Sequence, residues 1–436
     1  MTLAGMLLSF ASSIVAQASN HAAAGEESFV VSFTEHSSTP VISTNNTKGN
    51  GSTPCMTLNP SYIPASSGLK QAGLLLRMCC GENVFCNNCG SGTCNGRHPR
   101  GAPAPAYPFP FNPSIPERIT FAPCDLATGL CGDVDTAVNL DPTVFAEDPR
   151  AFLYNGWYYN FYWRGKPGGY HPGKCTLNVA ANGSATELCG VALAKTQTPL
   201  NASSWQIITY LPWVRNGCCH MKPKGQKSYC LFGSGPDGCP NQAFMPPEPK
   251  IGCAGYLSGI GIAYTEDIDS GIFHQVSWSV AAGVHSPITP DSMWMSPLGI
   301  DHAEVHLEAG AAPQLLSNGD LLHFYAGMTP GFGRGGNWTG NYTAGWIVLD
   351  GKDPSKIVGR WNGAVPWFSP TFDYETLCGG AADCKFVGEN PNTIFLSSAT
   401  ATGRVKDEFR LWYGAGDGNV GTAVVHVTIP LSRRRL

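Results

Sequence analysis

The sequence predicts an all-β chain, a five-bladed β-propeller behind a disordered N-terminal lead-in, and three observations carry that expectation. The first is composition: with Gly 52, Pro 34, aromatics at 11% and charged residues at only 13%, the chain is rich in turns and poor in surface charge. That balance suits a turn-rich β protein better than a helical bundle or a disordered chain. The second is a strand unit that recurs five times, and the third is the scarcity of helix-period patterns. A pair of β-sandwiches sharing the same turn chemistry is the alternative.

Each copy of the unit is a polar turn followed by a strand ending in aromatic or aliphatic residues. The copies are GLLLRM from Gly73, NGWYYNFYW from Asn155, GQKSYCLFGSG from Gly225, SNGDLLHFYAG from Ser317 and KDEFRLWYGAG from Lys406. Four of them lead into a further strand: GVALAKT from Gly190, GIGIAYTED from Gly259, AGWIVLDGKD from Ala344 and VGTAVVHV from Val420. Spacing of roughly 70 to 95 residues exceeds that of a common propeller blade and implies long loops. The propeller is expected over residues 55–430, its innermost strands lining a central cavity.

The flanks read differently. Residues 1–18, MTLAGMLLSFASSIVAQA, form an apolar run closed by Ala16-Gln17-Ala18 and read as a secretory signal lacking the usual basic start. Residues 19–54 are rich in Ser, Thr, Asn and Ala and are expected to be a disordered, glycosylated lead-in. Residues 431–436 carry Arg433, Arg434 and Arg435 and are expected to be a solvated basic tail.

A net charge of -4 and a pI near 6.2 offer no broad basic field, so no nucleic-acid partner is expected. No segment beyond the signal approaches the roughly 20 apolar residues of a membrane span. The 17 cysteines fit an oxidising compartment, as do Asn-x-Ser/Thr sites at Asn45, Asn50, Asn182, Asn201, Asn337 and Asn341, so the protein is expected to be secreted. Local spacing suggests the pairs Cys124 with Cys131, Cys175 with Cys189, Cys230 with Cys239 and Cys378 with Cys384.

The charges worth following stand in FAEDPRAFLYNGWYYNFYW, from Phe145. An isolated Asp-Pro would be a turn signal. At the start of an innermost strand, Asp148 can instead face the pocket while Pro149 fixes the backbone and Arg150 offers a planar donor fork. A second candidate is GIDHAEVHLEAG from Gly299, where His302, Glu304, His306 and Glu308 alternate at period two and would share one face of a strand. Such a row could supply a base, Glu304 or Glu308, or converge on a divalent metal, or be a solvated face. Trp157, Tyr159, Trp163, Trp294, Trp367 and Trp412 could stack on sugar rings, although most alternate along strands as core residues do.

These blocks together resemble glycoside hydrolase family 130, five-bladed propellers that phosphorolyse or hydrolyse β-mannosides. The likeness runs in scattered blocks from about Leu58 to the C terminus: LNPSYIP with GLLLRM, AEDPRAFLYNGWYYNFY, LEAGAAPQLLSNGDLLHFYAG, VLDGKDPSKIVGR and LWYGAGDGNVGTAVV. The resemblance implies that Asp148 is the general acid, its proton relayed through a sugar hydroxyl, and that Asn59, Arg77 and Asp417 hold the sugar. Glu147, Arg150, His302 and His306 complete the expected binding set. For Asp417 an ordinary Asp-Gly turn is the alternative.

Two departures bear on the reaction. The family's Asn-Lys-Asp block corresponds to RNGCCHMKP from Arg215, its lysine falling near Gly217, and its Tyr-His-Gly to Tyr325, Ala326 and Gly327. Two phosphate contacts are thereby lost, with Arg215, His220 or Lys222 as possible substitutes. The expectation is an inverting glycosidase acting on β-mannosidic linkages of an oligosaccharide or glycan, hydrolysis favoured, with no cofactor or metal and with inorganic phosphate as co-substrate only if it is a phosphorylase. An arabinanase- or invertase-type propeller, or a lectin-like propeller without catalysis, are the alternatives.

Overall fold

The computed structural model describes residues 28–43, 55–80, 118–135, 146–164, 190–211, 214–234, 259–276, 295, 306–328, 341–380 and 392–434. Five antiparallel sheets form the five blades of a propeller. Blade 1 is β2 (Cys55–Ile63), β3 (Gly73–Cys80) and β4 (Arg118–Pro123). Blade 2 is β5 (Ala146–Tyr154), β6 (Trp157–Arg164), β7 (Gly190–Thr196) and β8 (Gln206–Leu211). Blade 3 is β9 (Val214–His220), β10 (Ser228–Ser234), β11 (Ile260–Thr265) and β12 (His274–Gln275).

Blade 4 has an inner edge broken into β13 (His306–Ala309) and β14 (Gln314–Leu315), followed by β15 (Leu321–Met328), β16 (Tyr342–Leu349) and β17 (Ile357–Arg360). Blade 5 is β18 (Ile394–Ala401), β19 (Glu408–Ala415) and β20 (Asn419–Thr428), completed on its outside by β1 (Val30–His36) from the N-terminal side. The inner strands neighbour one another in ring order, and β18 of blade 5 meets β2 of blade 1. All five recurring units are second strands of blades: β3, β6, β10, β15 and β19.

Why these strands are so apolar follows from their place in the ring. A second strand is covered on both faces by neighbouring blades, and all eight residues of β15 are buried. Period-two alternation sends successive side chains to opposite seams. Tyr158 and Tyr162 enter the seam between blades 1 and 2, whereas Tyr159 and Phe161 enter the seam between blades 2 and 3. Leu74 and Leu76 likewise pack with Trp412 between blades 5 and 1, and Leu75 packs the other way. Each such large side chain contributes about 1.5–3 kcal/mol when fully buried. Asn155 and Gly156, at φ 49° and 76°, form the tight turn of the β5–β6 hairpin, which needs positive φ at both positions.

Three expectations are corrected. The lead-in over 19–54 is not unstructured throughout: β1 pairs with β20 from Val30↔Thr428 to His36↔Ala423 and closes the ring. The short apolar run Phe29, Val31 and Phe33 drives this by entering the core between blades 4 and 5, a signal hidden when the segment is averaged with its polar surroundings. The basic tail is not simply solvated: Leu431–Arg433 forms a 3-10 turn, and Arg433 pairs with Asp320 at 3.0 Å and Asp350 at 3.6 Å. Cys230 bonds not to Cys239 but to Cys219, which lies opposite it in the β9–β10 ladder.

Cys124 and Cys131 are joined as expected, and Cys378 is disulfide-bonded. Among the described residues Cys218 is a free, buried thiol, and burial pushes its pKa up to about 12. The expected signal stretch 1–18, Cys175, Cys189, Cys239 and Cys384, and the Asn-x-Ser/Thr positions Asn45, Asn50, Asn182 and Asn337 lie outside the described residues.

Candidate active site

The inner strands of blades 1, 2 and 3 share one departure from regular pairing. In β2 the register skips from Leu58 to Ser61, in β5 from Glu147 to Arg150, and in β9 from Arg215 to Gly217. Each skipped stretch holds a non-glycine residue at positive φ: Asn59 at 48°, Asp148 at 55° and Asn216 at 52°. A β-bulge of this kind leaves a residue outside the ladder and re-aims its side chain. Pro60 and Pro149 follow directly in two of the three, where the ladder requires no N–H from them.

Asp148 is fully buried. Asn59 donates through Nδ2 to its Oδ1, joining the bulges of blades 1 and 2. Arg77, opposite Leu58 in β3, reaches the same acids: its Nη1 lies 2.7 Å from Glu147 Oε2 and 4.0 Å from Asp148 Oδ1. Glu147 is thus engaged with Arg77, and the pair neutralises charge that would be costly to bury singly. Around the bulge, Arg150 N donates to Asn160 Oδ1 at 3.0 Å and Ala151 N to Ser61 Oγ at 2.7 Å. These contacts satisfy backbone groups that the irregular register exposes.

Arg150 spans the ring. From blade 2 its Nε donates to Gly310 O of blade 4 at 3.0 Å, while its guanidinium lies 5.3 Å from the Phe395 ring centre of blade 5. Gly310 permits this close assembly, because a Cβ there would stand 2.3 Å from Phe324 O and 2.5 Å from Leu396 O. His323 braces the same segment, its Nδ1 lying 2.8 Å from Ala311 O. Burial pushes His323 down to about 3, so it stays neutral and donates through Nδ1.

In blade 4, Glu308 on β13 is buried. Asn216 Nδ2 donates to its Oε2 at 2.6 Å, and Tyr342 OH donates to its Oε1 at 3.4 Å. Tyr342 in turn meets Phe395, ring centres 5.7 Å apart, so the Glu308 and Arg150 clusters share one wall. Asp417, half-buried at φ 47°, sits in the β19–β20 turn, and Gly418 O of that turn accepts from Thr57 N, two residues before Asn59.

Of the expected residues, Asn59, Arg77, Glu147, Asp148, Arg150 and Glu308 are therefore linked by a chain of contacts across the first and second strands of neighbouring blades, and Asp417 lies in the β19–β20 turn beside β2. His302 and Glu304 lie outside the described residues, as does the side chain of His306. Among the described residues no three His, Cys, Asp or Glu are grouped to hold a metal. Of the aromatics, Tyr159, Trp163 and Trp412 are buried, whereas Trp157 lies under Lys195, whose Nζ is 4.8 Å from its ring. Trp294 is outside the described residues.

Asn216, Tyr342 and Phe395 were not foreseen. For Asn216 a signal existed, since Asn-Gly inside a strand marks positive φ. Tyr342 and Phe395 carried none, because an aromatic at a strand start reads as core.

The five-blade propeller fold is similar to that of solved structures described as glycoside hydrolases and mannoside phosphorylases. One such structure is described as the GH130 family of mannoside phosphorylases containing glycoside hydrolases that target β-1,2 mannosidic linkages in Candida mannan; it matches with a TM-score of 0.54 at 14% identity over 90% of this chain and 93% of that one. A β-1,2-mannobiose phosphorylase from Listeria innocua, in complex with β-1,2-mannobiose, matches with a TM-score of 0.54 at 16% identity over 92% of this chain and 97% of that one. No family model and no curated protein matches the sequence. The fold is that of a glycoside hydrolase or mannoside phosphorylase-like propeller.

Proposed function

We propose that the chain is a secreted glycoside hydrolase that cleaves β-mannosidic linkages of an oligosaccharide or glycan with inversion, Asp148 acting as general acid and Glu308 as general base. The neighbours that act on or bind β-1,2-linked mannosides support the substrate class. Asp148 would protonate the departing oxygen through a sugar hydroxyl, while Arg77, Asn59 and Asp417 would hold the sugar. Glu308 would take a proton from water on the opposite face of the ring. Passage to the outside of the cell rests on the apolar start and the cysteine content.

The observation that carries hydrolysis over phosphorolysis is Glu308 with Asn216. Glu308 lies directly opposite Ala326 in the β13–β15 ladder, so the two side chains share a face. At Ala326 the resembling family carries histidine; here a carboxylate stands across from a methyl group. At Gly217, where that family carries lysine, a Cβ would meet the Phe232 ring at 2.8 Å. His220 lies three residues further along β9, roughly 10 Å away at about 3.3 Å per residue, and Lys222 lies beyond the strand. An anion-binding pocket would have to be built around Glu308, which repels phosphate.

The test is incubation with β-linked manno-oligosaccharides with and without phosphate. Free mannose released at the same rate in both is the expected result. Mannose 1-phosphate formed only with phosphate would overturn hydrolysis, and glycan binding without turnover would replace the enzyme with a lectin.

A further inference from the structure

We propose that Asn216 is a positioning residue of the hydrolytic step, its amide nitrogen fixing Glu308 and its amide oxygen offered to the attacking water. The proposal rests on Glu308 acting as base.

The orientation of the amide is set by chemistry. An ionised carboxylate only accepts hydrogen bonds, so the group 2.6 Å from Glu308 Oε2 must be the NH2 of Asn216. Its Oδ1 therefore points away from Glu308. That oxygen is buried and has no hydrogen-bond partner among the described residues. Native proteins seldom leave a buried acceptor unsatisfied, and where they do a ligand or water is a natural explanation.

The backbone that aims this amide is specialised. Asn216 is skipped by the β9–β10 ladder and held at φ 52°, and Gly217 beside it lies tight against Phe232 and Phe161. Such conformations persist where the surroundings over-determine them and tend to gather at functional sites. The acid side repeats the device: Asn59, also at positive φ in a bulge, donates Nδ2 to Asp148 and likewise keeps a buried Oδ1 with no partner among the described residues. Two asparagines in equivalent bulges of different blades thus grip the two carboxylates assigned opposite roles.

In an inverting hydrolysis the water oxygen bonds to the anomeric carbon as the bond from that carbon to the leaving oxygen breaks. One water proton passes to Glu308, and the proton of Asp148 passes through the sugar hydroxyl to the leaving oxygen. The second water hydrogen stays on the new hydroxyl group. Asn216 Oδ1, accepting that second hydrogen, would fix the lone pair on line with the anomeric carbon.

The experiment measures kcat and KM against pH on a manno-oligosaccharide for Glu308→Gln, Asn216→Ala and the near-isosteric Asn216→Asp. Asn216→Ala is expected to lower kcat about 10- to 100-fold with KM changed less than about threefold. Without the donor the ionised base is less favoured, so the acidic limb of the kcat profile should move up by about one pH unit. Asn216→Asp, which sets a second carboxylate beside the first, should move that limb further up, and it carries the test alone if the alanine variant does not fold. Unchanged kcat and limb in the Asn216 variants, with Glu308→Gln inactive, would overturn the positioning role alone. A tenfold rise in KM at unchanged kcat would overturn it in favour of sugar binding. Full activity in Glu308→Gln would overturn the reading on which it rests.

Discussion

The ring is built differently at its centre and at its closing seam. At the centre, Asn59, Asp148 and Asn216 sit at positive φ where the ladders skip, and charged side chains are buried around them. At the seam β1 runs along β20 with a single irregularity between Phe33 and Glu35, and its polar ends are tied down several times over. His36 Nε2 lies 3.0 Å from Glu375 Oε1 and 2.9 Å from Tyr413 OH, while Glu35 pairs with Arg404 at 3.0 Å and Arg410 at 3.3 Å. The centre spends regularity on aiming side chains, whereas the seam uses buried charge to fasten one strand. The difference teaches that a buried carboxylate is not evidence of catalysis until its backbone and its partners are known.

The sharpest separation comes from Asp148→Asn. Asparagine tolerates the left-handed backbone as well as aspartate does, and its oxygen can still accept from Asn59, so the fold should be kept. If Asp148 is the proposed proton donor, mannoside hydrolysis should fall about a thousandfold, equal to about 4 kcal/mol of transition-state stabilisation. Thermal unfolding and steady-state kinetics measured together check this. A variant that loses activity only in proportion to its stability would make Asp148 another structural acid.

Glu375 tests the opposite region. In α1 (Asp373–Thr376) its Oε1 takes His36 and Tyr413 OH, the latter at 2.7 Å, and its Oε2 takes the N–H groups of Thr371 at 2.6 Å and Phe372 at 2.9 Å. Burial works to raise this carboxyl, but the bonds from His36 and from the Phe372 and Thr371 backbone outweigh it and hold it below the ordinary range. A carboxylate depressed in the fold stabilises fully above its unfolded value, about 4.3, and loses that contribution as pH falls through the folded value. Glu375→Gln turns an amide donor toward donors and should cost about 3 kcal/mol near neutral pH, with the acid loss of stability correspondingly flatter. Denaturant unfolding at pH 7 and at pH 3 measures both, and kcat should stay within about twofold.

How much of this contrast could be read from the sequence depends on which residues carry it. The second strands were legible, since LLHFYAG and its counterparts are buried on both faces and read as continuous apolar runs. Asp148, Arg77 and Glu147 were legible because charge in an apolar strand is costly unless it has work or a partner. Asn216, next to the Gly217 position of the lost lysine, is not legible, because a neutral side chain at a bulge has no charge to betray it. The pairing of β1 with β20 was hidden because it joins segments at opposite ends of the chain, which local composition does not encode, whereas Cys219 and Cys230 are only 11 residues apart and are paired by the β9–β10 register, which cysteine spacing alone does not reveal.

Asp417 is where the two regions meet, and its effect should be the smallest. Its turn leans on the pocket through Gly418 O and Thr57 N, and on the seam through Asn419 Nδ2, 3.5 Å from Tyr374 O. Gly416 beside it, at φ 56°, is pressed so near α1 that a Cβ would stand 2.7 Å from Tyr374 O. Asp417→Asn keeps the left-handed backbone and removes only the charge, so stability should hold within about 0.5 kcal/mol. If the carboxylate binds sugar hydroxyls, KM should rise about tenfold, or about 1.4 kcal/mol, with kcat nearly unchanged, since such contacts are made equally in ground and transition states. An unchanged KM would assign the turn to the seam alone, and the pocket would then end at Asn59.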